Sequence, residues 1–265
     1  MTKNQTLKGF RDFLPAQMAI REKVIGILKR NFEKYGFQPI QTPTLEYAEV
    51  LMGKYGEEAD KLLYTFDDRG GRKVGLNYDL TIPTARLMAQ YSGQIPLPFK
   101  RYQIQSSYRA ENTQKGRYRQ FTQCDIDTIG SNSPLSDAEI VAIISDSMTD
   151  LGLNNFTIRY NSRSILFSLI EKSGISSDKT MSVLQTLDKL DKKPEDEVKQ
   201  ELTDRGINPK EISTLFDLLK TVKEDDYLKD VIEMAKKMGT KNLEFSPFLM
   251  RGLDYYTGPI FETIV

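Results

Sequence analysis

The stretch GRYRQFTQCDID, Gly116 to Asp127, decides how the rest of the chain is read. It begins with Arg117, Tyr118 and Arg119 and passes at once into an alternation that ends in acids. Strand side chains alternate between faces, so Gln123, Asp125 and Asp127 share one face and Thr122, Cys124 and Ile126 the other. The preceding FKRYQIQSSYRAE sorts the same way: Gln103, Gln105, Ser107, Arg109 and Glu111 oppose Tyr102, Ile104, Ser106, Tyr108 and Ala110. A third run separates Asn77, Asp79 and Thr81 from Leu76, Tyr78 and Leu80. Three strands with a common polar face are expected. A solvated face of an antiparallel sheet would account for the alternation alone. The composition favours a binding floor, because Gln, Asp, Asn and Ser are short groups suited to fixed hydrogen bonding of a small polar ligand. Between Lys100 and Arg119 six Lys or Arg stand against one acid, Glu111. Arginine's planar fork matches a phosphate, so the loop is expected to face an anion.

Composition narrows the chemistry further. A chain of 265 residues can bury a core without staples. Cys124 is the single cysteine and histidine is absent, which excludes a disulfide framework, a nitrogen or sulfur ligand set for zinc, and every His-based triad or relay. Chemistry must rest on carboxylates, arginines, tyrosines or oxygen-held metal. Lys plus Arg and Asp plus Glu are both 37, so net charge points to no particular partner. No stretch has the apolar length of a membrane span and MTKNQTLKG lacks a signal-peptide core, so a soluble cytoplasmic protein without membrane contact is expected.

Working outward, Pro15 opens a helix whose stripe of Ile20, Val24, Ile27, Leu28 and Phe32 runs to a stop at Gly36. FQPIQTPTLE follows, extended and interrupted by Pro39 and Pro43, which suits an edge or interface strand. Two strand-like runs flank DDRGGR as a hairpin. IPTARLMAQYSG and SDAEIVAIISDSMTDLG read as helices, the latter capped at Ser136 or Asp137, and FTIRYN as a short strand. From Ser164 to Thr240 strand patterning gives way to helical segments, with Ile212, Leu215, Phe216, Leu219 and Val222 on one face. FSPFLMRGLDYYTGPIFETIV then returns to strand pattern. The expected organisation is a core over 1–163, a helical insertion over 164–240 and the core continued over 241–265.

YRAENTQKGRYRQFTQCDID resembles motif 2 of the class II aminoacyl-tRNA synthetases in its histidyl form. RGLDYYTGPIFE, Arg251 to Glu262, resembles the histidine-specific motif of the same family. KGFRDFLP and YDLTIPTAR resemble other parts of it, in the same order along essentially the whole chain. The resemblance implies an α+β fold, a mainly antiparallel sheet flanked by helices with a helical insertion. It implies activation of histidine with ATP and Mg2+ for transfer to tRNA(His), by a homodimer built through motif 1.

Carried over residue by residue, the resemblance puts Arg109 and Glu111 on the ATP α-phosphate and adenine end, and Arg117 and Tyr118 in the loop beside the nucleotide. Asp79 matches an acid on the histidine amino group, with Thr81 and Gln123 beside it. Asp127 and Tyr256 match positions that read the imidazole. Arg251 matches the catalytic arginine that contacts the substrate carboxylate and α-phosphate, and Tyr255 a packing neighbour within the histidine-binding set. No protein metal ligand is implied. Adenylate formation is attack by a carboxylate on phosphorus, which needs positioning and charge neutralisation more than a protein base. Family members continue into a glycine-rich strand, motif 3 and an anticodon-binding domain, none of which is in this sequence, so an incomplete catalytic core is expected. The competing reading is a paralogue, the histidine-binding regulatory subunit of ATP phosphoribosyltransferase. A nucleic-acid-binding module resting on the basic loop is disfavoured, because one loop supplies few phosphate contacts.

Overall fold

The computed structural model describes residues 4–52, 61–250 and 256–265. The chain divides into two compact units, Met1–Ser131 and Asn132–Val265. The boundaries expected at 163/164 and 240/241 fall inside the second unit. Among the described residues the fold is α+β, with three three-stranded sheets in which four of six strand pairings are antiparallel.

The first unit opens with α1 (Pro15–Lys34), started by proline and ended at Tyr35, with Gly36 at a φ of +82° where a side chain would be strained. Its C-terminal half packs inward: Ile27 and Phe32 are buried, and Phe32 meets Tyr102 with ring centres 5.4 Å apart. Val24 and Leu28 are half-buried, whereas Ile20, at the start of the stripe, is 67% exposed, with Leu14 and Met18 exposed near it in sequence. Periodicity identifies an apolar face without saying what covers it.

Strand β1 (Gln38–Pro39) pairs in parallel at the edge of a sheet ordered β1-β5-β6, with β5 at Phe99–Tyr108 and β6 at Gln120–Ile129, where a proline's missing donor costs little. Strand β2 (Leu45–Tyr47) is the edge of a second sheet, β2-β4-β3, and leads into α2 (Ala48–Leu51). The DDRGGR hairpin joins β3 (Thr65–Asp67) to β4 (Lys73–Leu76). Asp68 accepts from the Gly70 and Arg72 N–H groups and pairs with the Arg72 guanidinium, and Gly71 takes a φ of +75°. Here one expectation fails. Strand β4 stops at Leu76, and Asn77, Asp79 and Thr81 belong to a turn and to the first residue of α3 (Thr81–Gln90). The Asp79 carboxylate accepts from the Thr81 and Ile82 N–H groups at 3.0 and 3.3 Å, satisfying two donors that a helix start leaves open.

The long hairpin β5 (Phe99–Tyr108) and β6 (Gln120–Ile129) forms as expected, with Arg101 opposite Asp127, Gln103 opposite Asp125 and Gln105 opposite Gln123. Arg109 and Glu111 lie just past the strand, although Arg109 N–H still donates to Arg119 O.

The second unit begins with α4 (Pro134–Asp150), capped by Ser133, whose Oγ accepts from Leu135 N–H, rather than by Ser136 or Asp137. Strand β7 (Thr157–Ser162) is central in a sheet ordered β8-β7-β9, between β8 (Leu243–Phe245) and β9 (Pro259–Ile264). Between β7 and β8 the chain has no strand among the described residues and forms helices joined by short connections, as expected. It forms α5 (Arg163–Lys172), α6 (Thr180–Leu187), α7 (Glu195–Asp204), α8 (Pro209–Thr221) and α9 (Asp226–Lys237), with two short 3-10 turns at Ser177–Lys179 and Asp188–Asp191. Ile212, Leu215, Phe216 and Leu219 of α8 are buried with Leu166, Leu184, Val198 and Leu202 in one apolar cluster. Helix α8 starts with a full capping box, Asn208 accepting from Lys210 N–H and Glu211 reaching back to Asn208 N–H. Helix α9 packs along α4 through Val231, Ala235, Ala138 and Val141.

Candidate active site

The polar face of β5 and β6 is fixed by hydrogen bonds rather than left to solvent. Gln103 donates to Thr42 Oγ1 and to Gln105 Oε1, both at 2.8 Å, and Gln105 donates to the Thr42 carbonyl at 2.9 Å. Gln123 donates to both carboxylate oxygens of Asp125, at 3.2 and 3.0 Å. The amide orientations are thereby set, and the Gln123 Oε1 is a buried acceptor with no donor among the described residues.

Arg101 lies beneath this floor. Its side chain is 1% exposed, its Nη2 is ion-paired with Asp127 Oδ2, and its Nη1 lies 3.4 Å from Gln103 Oε1. Extending the β5 alternation back by two residues from Gln103 reaches Arg101, which was the available signal for a residue the sequence reading did not single out. Asp125, sorted to this face by alternation but assigned no role, is the second such residue. Burial drives its carboxyl up to about 6, with Asp127 and Asp79 adding repulsion and the Gln123 amide and Arg101 opposing it. Burial likewise raises Asp127, against the pull of Arg101 and with the push of Asp79. Among the described residues, Asp79, Asp125 and Asp127 thus act on one another and on one buried guanidinium, Arg101, which makes this end of the face acceptor-rich.

Toward the loop the sign reverses. Arg109, Glu111, Gly116, Arg117, Tyr118 and Phe121 line a pocket of about 240 Å³. Arg109 Nε donates to Tyr78 O at 3.2 Å, and its guanidinium lies 4.3 Å from the Tyr78 ring centre and 5.0 Å from that of Phe121. Arg117 is exposed and reaches Glu111 at 3.6 Å. Tyr118 is covered by the Arg11 guanidinium at 3.3 Å. Gly9 props the loop from behind, its carbonyl accepting from Arg119 N–H at 2.9 Å. The strand face thus joins a cationic, aromatic pocket to an acidic floor: Phe121 and Asp127 are six residues apart on β6, about 20 Å at strand rise.

The expected residues are distributed as follows. Arg109, Glu111, Arg117 and Tyr118 meet in the pocket, and Gln123 and Asp127 lie on the floor. Asp79 is buried at the start of α3 within the same electrostatic field, and Thr81 follows it exposed. Tyr256, 43% exposed, belongs to the second unit. Arg251 and Tyr255 lie outside the described residues. Cys124 points to the other face and is exposed at its surface, while the surrounding protein and Asp125 push its thiol up to about 11. Among the described residues no cluster of three acidic or thiol side chains could hold a metal ion, and no helix is long and apolar enough to cross a membrane.

Known proteins resemble this chain over nearly its whole length. A histidine–tRNA ligase of Rhodopirellula baltica is 40% identical over 99% of this chain and 65% of its own length. One from Gloeobacter violaceus is 39% identical over 98% of this chain and 65% of its own length, and one from Aeropyrum pernix 40% over 97% and 63%. The chain thus spans about two thirds or slightly less of these relatives. A solved histidyl-tRNA synthetase from Nostoc sp. superposes with a TM-score of 0.88 at 30% identity, covering 99% of this chain and 65% of that one. A structure from Bacillus halodurans described as an ATP phosphoribosyltransferase regulatory subunit/histidyl-tRNA synthetase superposes at 0.85 and 20% identity, over 100% of this chain and 73% of that one, a likeness of fold alone. The family model described as histidyl-tRNA synthetase matches residues 9–265, from the glycine that props the loop to the last strand, and the chain belongs to that family.

Proposed function

We propose that this chain carries the histidine-activating core of a histidine–tRNA ligase. The observation that carries the reading is the change of sign along one strand face. Arg109 and Arg117 line its loop end, and Asp125 and Asp127 its far end beside the Gln123 acceptor, which has no donor among the described residues. A ligand with a polyphosphate at one end and a donor-rich amino acid at the other suits that order. In the step, an oxygen of the histidine carboxylate forms a bond to the ATP α-phosphorus, and the bond to the bridging oxygen breaks to release pyrophosphate. Arg109 neutralises charge on the phosphoryl oxygens, a role resting on orientation and field rather than proton transfer. Asp79 would take the substrate ammonium, with Thr81 and Gln123 beside it, and Asp127 an imidazole N–H. Tyr256, Arg251 and Tyr255 keep the roles the family motif gives them, histidine binding for all three and catalysis for Arg251. Magnesium would arrive on the polyphosphate, with waters completing much of its octahedral shell.

Several broader features belong to the same proposal: transfer to tRNA(His), a cytoplasmic location, and the role of 164–240 as an insertion in a catalytic core. A homodimer is proposed as well. It is supported by exposed apolar side chains that a partner subunit would cover, Leu14 just before α1, Met18 and Ile20 on α1, and Leu45 and Tyr47 on the edge strand β2. Sedimentation of the full-length protein as a monomer at micromolar concentration would remove that part alone.

The fold does not choose between the ligase and the regulatory paralogue. The pocket set of Arg109, Glu111 and Arg117 favours the ligase, since a histidine sensor has no use for phosphate-facing arginines. Histidine-dependent ATP–pyrophosphate exchange by the full-length protein is the deciding measurement. Exchange driven by a different amino acid, or histidine binding with no exchange, would overturn the proposal.

A further inference from the structure

We infer that Arg101 is a positioning residue for Asp127, fixing the direction and the charge of the carboxylate that meets the substrate side chain. The inference rests on the histidine-binding reading of the floor.

Register places the two residues directly opposite on β5 and β6, and burial makes the pair one-sided. Arg101 is sealed, whereas the Asp127 side chain remains 44% exposed even though its Oδ2, the atom facing Arg101, is itself buried. The exposure therefore falls on the rest of the carboxylate, and Oδ1 is directed to the open side. Arg101 cannot follow a ligand, because its Nη1 lies against Gln103, which is tied in turn to Thr42 and Gln105. Its Nε has no acceptor among the described residues, so the guanidinium is held for its contact with Asp127 rather than for a saturated network of its own.

Charge gives the second half of the argument. Asp127 is faced by Asp79 from the turn before α3, and its strand neighbour Asp125 shares the same field. Burial and Asp79 favour the protonated acid, and Arg101 is the cation that opposes them. Without it, burial and the repulsion of Asp79 would act on Asp127 with no opposing cation among the described residues that face it, and protonation would relieve them. A protonated Asp127 would be a weaker acceptor, and an unpinned one would be free to rotate.

The test compares Arg101→Met and Arg101→Lys with the parent protein, by calorimetric titration of histidine and by exchange kinetics of the full-length protein across a range of pH. Arg101→Met should raise the histidine KM at neutral pH by about tenfold, the loss expected of an unpinned charged acceptor, with kcat and the ATP KM little changed. The acid limb of histidine affinity should move to higher pH, and Arg101→Lys should restore much of both. In an Asp127→Asn background Arg101→Met should add little, because the partner it acts through is gone. A folded Arg101→Met with unchanged KM and pH profile would overturn the inference. So would losses that multiply in the double variant. Should Arg101→Met fail to fold, Arg101→Lys with Asp127→Asn completes the same cycle with the cation kept, and multiplying losses there overturn it equally. Absence of histidine binding in the parent protein would instead overturn the site reading on which the inference rests.

Discussion

The Arg109 guanidinium is held by Tyr78 from two directions, its Nε donating to the Tyr78 carbonyl at 3.2 Å and its Cζ lying 4.3 Å from the Tyr78 ring centre. With Phe121 at 5.0 Å as well, the fork is oriented before any ligand arrives. Pre-set orientation of this kind is what positions an anion without reorganisation during the reaction.

Arg109→Ala should therefore weaken nucleotide use more than histidine binding. Arg109→Lys should recover only part of the loss, since an ammonium keeps the charge but not the planar fork or the ring contact. The ATP KM and the histidine KM in the exchange reaction, measured side by side, check this. Equal rises in both would remove Arg109 from the nucleotide end.

Asp127→Asn should have the opposite pattern. The substitution is nearly isosteric but strips the counter-charge from buried Arg101, so the protein should fold with a lower melting temperature, while loss of the charged acceptor costs roughly 1.5–3 kcal/mol, on the order of 10- to 100-fold in histidine affinity. Calorimetry with histidine, well below the melting temperature of the variant, reads it, and ATP binding serves as the control. Unaltered histidine affinity would return Asp127 to a purely structural pairing with Arg101.

Asp125 makes the first unit's stability depend on pH. Its folded value is raised to about 6 from 3.8. Between these values the folded chain holds a proton that the unfolded chain has lost. The contribution is thus fully present below about pH 4 and is lost as pH rises through 6. Two pH units at 1.36 kcal/mol each bound the effect at about 3 kcal/mol, and solvent screening of a half-buried group reduces the expectation to about 1–2 kcal/mol. Asp125→Asn should be the more stable protein at pH 8 and should flatten the urea-denaturation midpoint between pH 4 and 6. A variant less stable than its parent at pH 8 would contradict this.

Gly9→Ala should loosen the motif 2 loop from behind. Gly9 has a φ of +88°, and a Cβ there would lie 2.7 Å from Arg119 Cγ and 2.8 Å from Thr113 Cγ2. Backbone strain and crowding together should cost on the order of 1–3 kcal/mol. Because the same residue accepts from Arg119 N–H, the ATP KM should rise while histidine affinity holds. Retention of both stability and ATP KM would mean that the segment shifts without consequence.

The sequence by itself determined the β5–β6 hairpin, its two faces and its polar character, because alternation over ten residues on each strand encodes facing directly. It also determined the limits of α1 through Pro15 and Gly36, and the helical run from 164 to 240 through its period. Tertiary structure decided what periodicity does not carry. The alternation across Asn77, Asp79 and Thr81 continues past the end of β4, yet Asp79 turns to cap α3, since a carboxylate next to free helix N–H groups gains more there than on a strand. Ile20 belongs to an apolar stripe and is exposed, because burial requires a neighbour and nothing local supplies one. Arg101 is the clearest case. Alternation gives its face, but its complete burial under Asp127 depends on Gln103 being tied to Thr42, sixty-one residues away. Facing is a local property of the backbone, whereas desolvation, and the change it makes to charge and affinity, is set by the segments that the fold brings together.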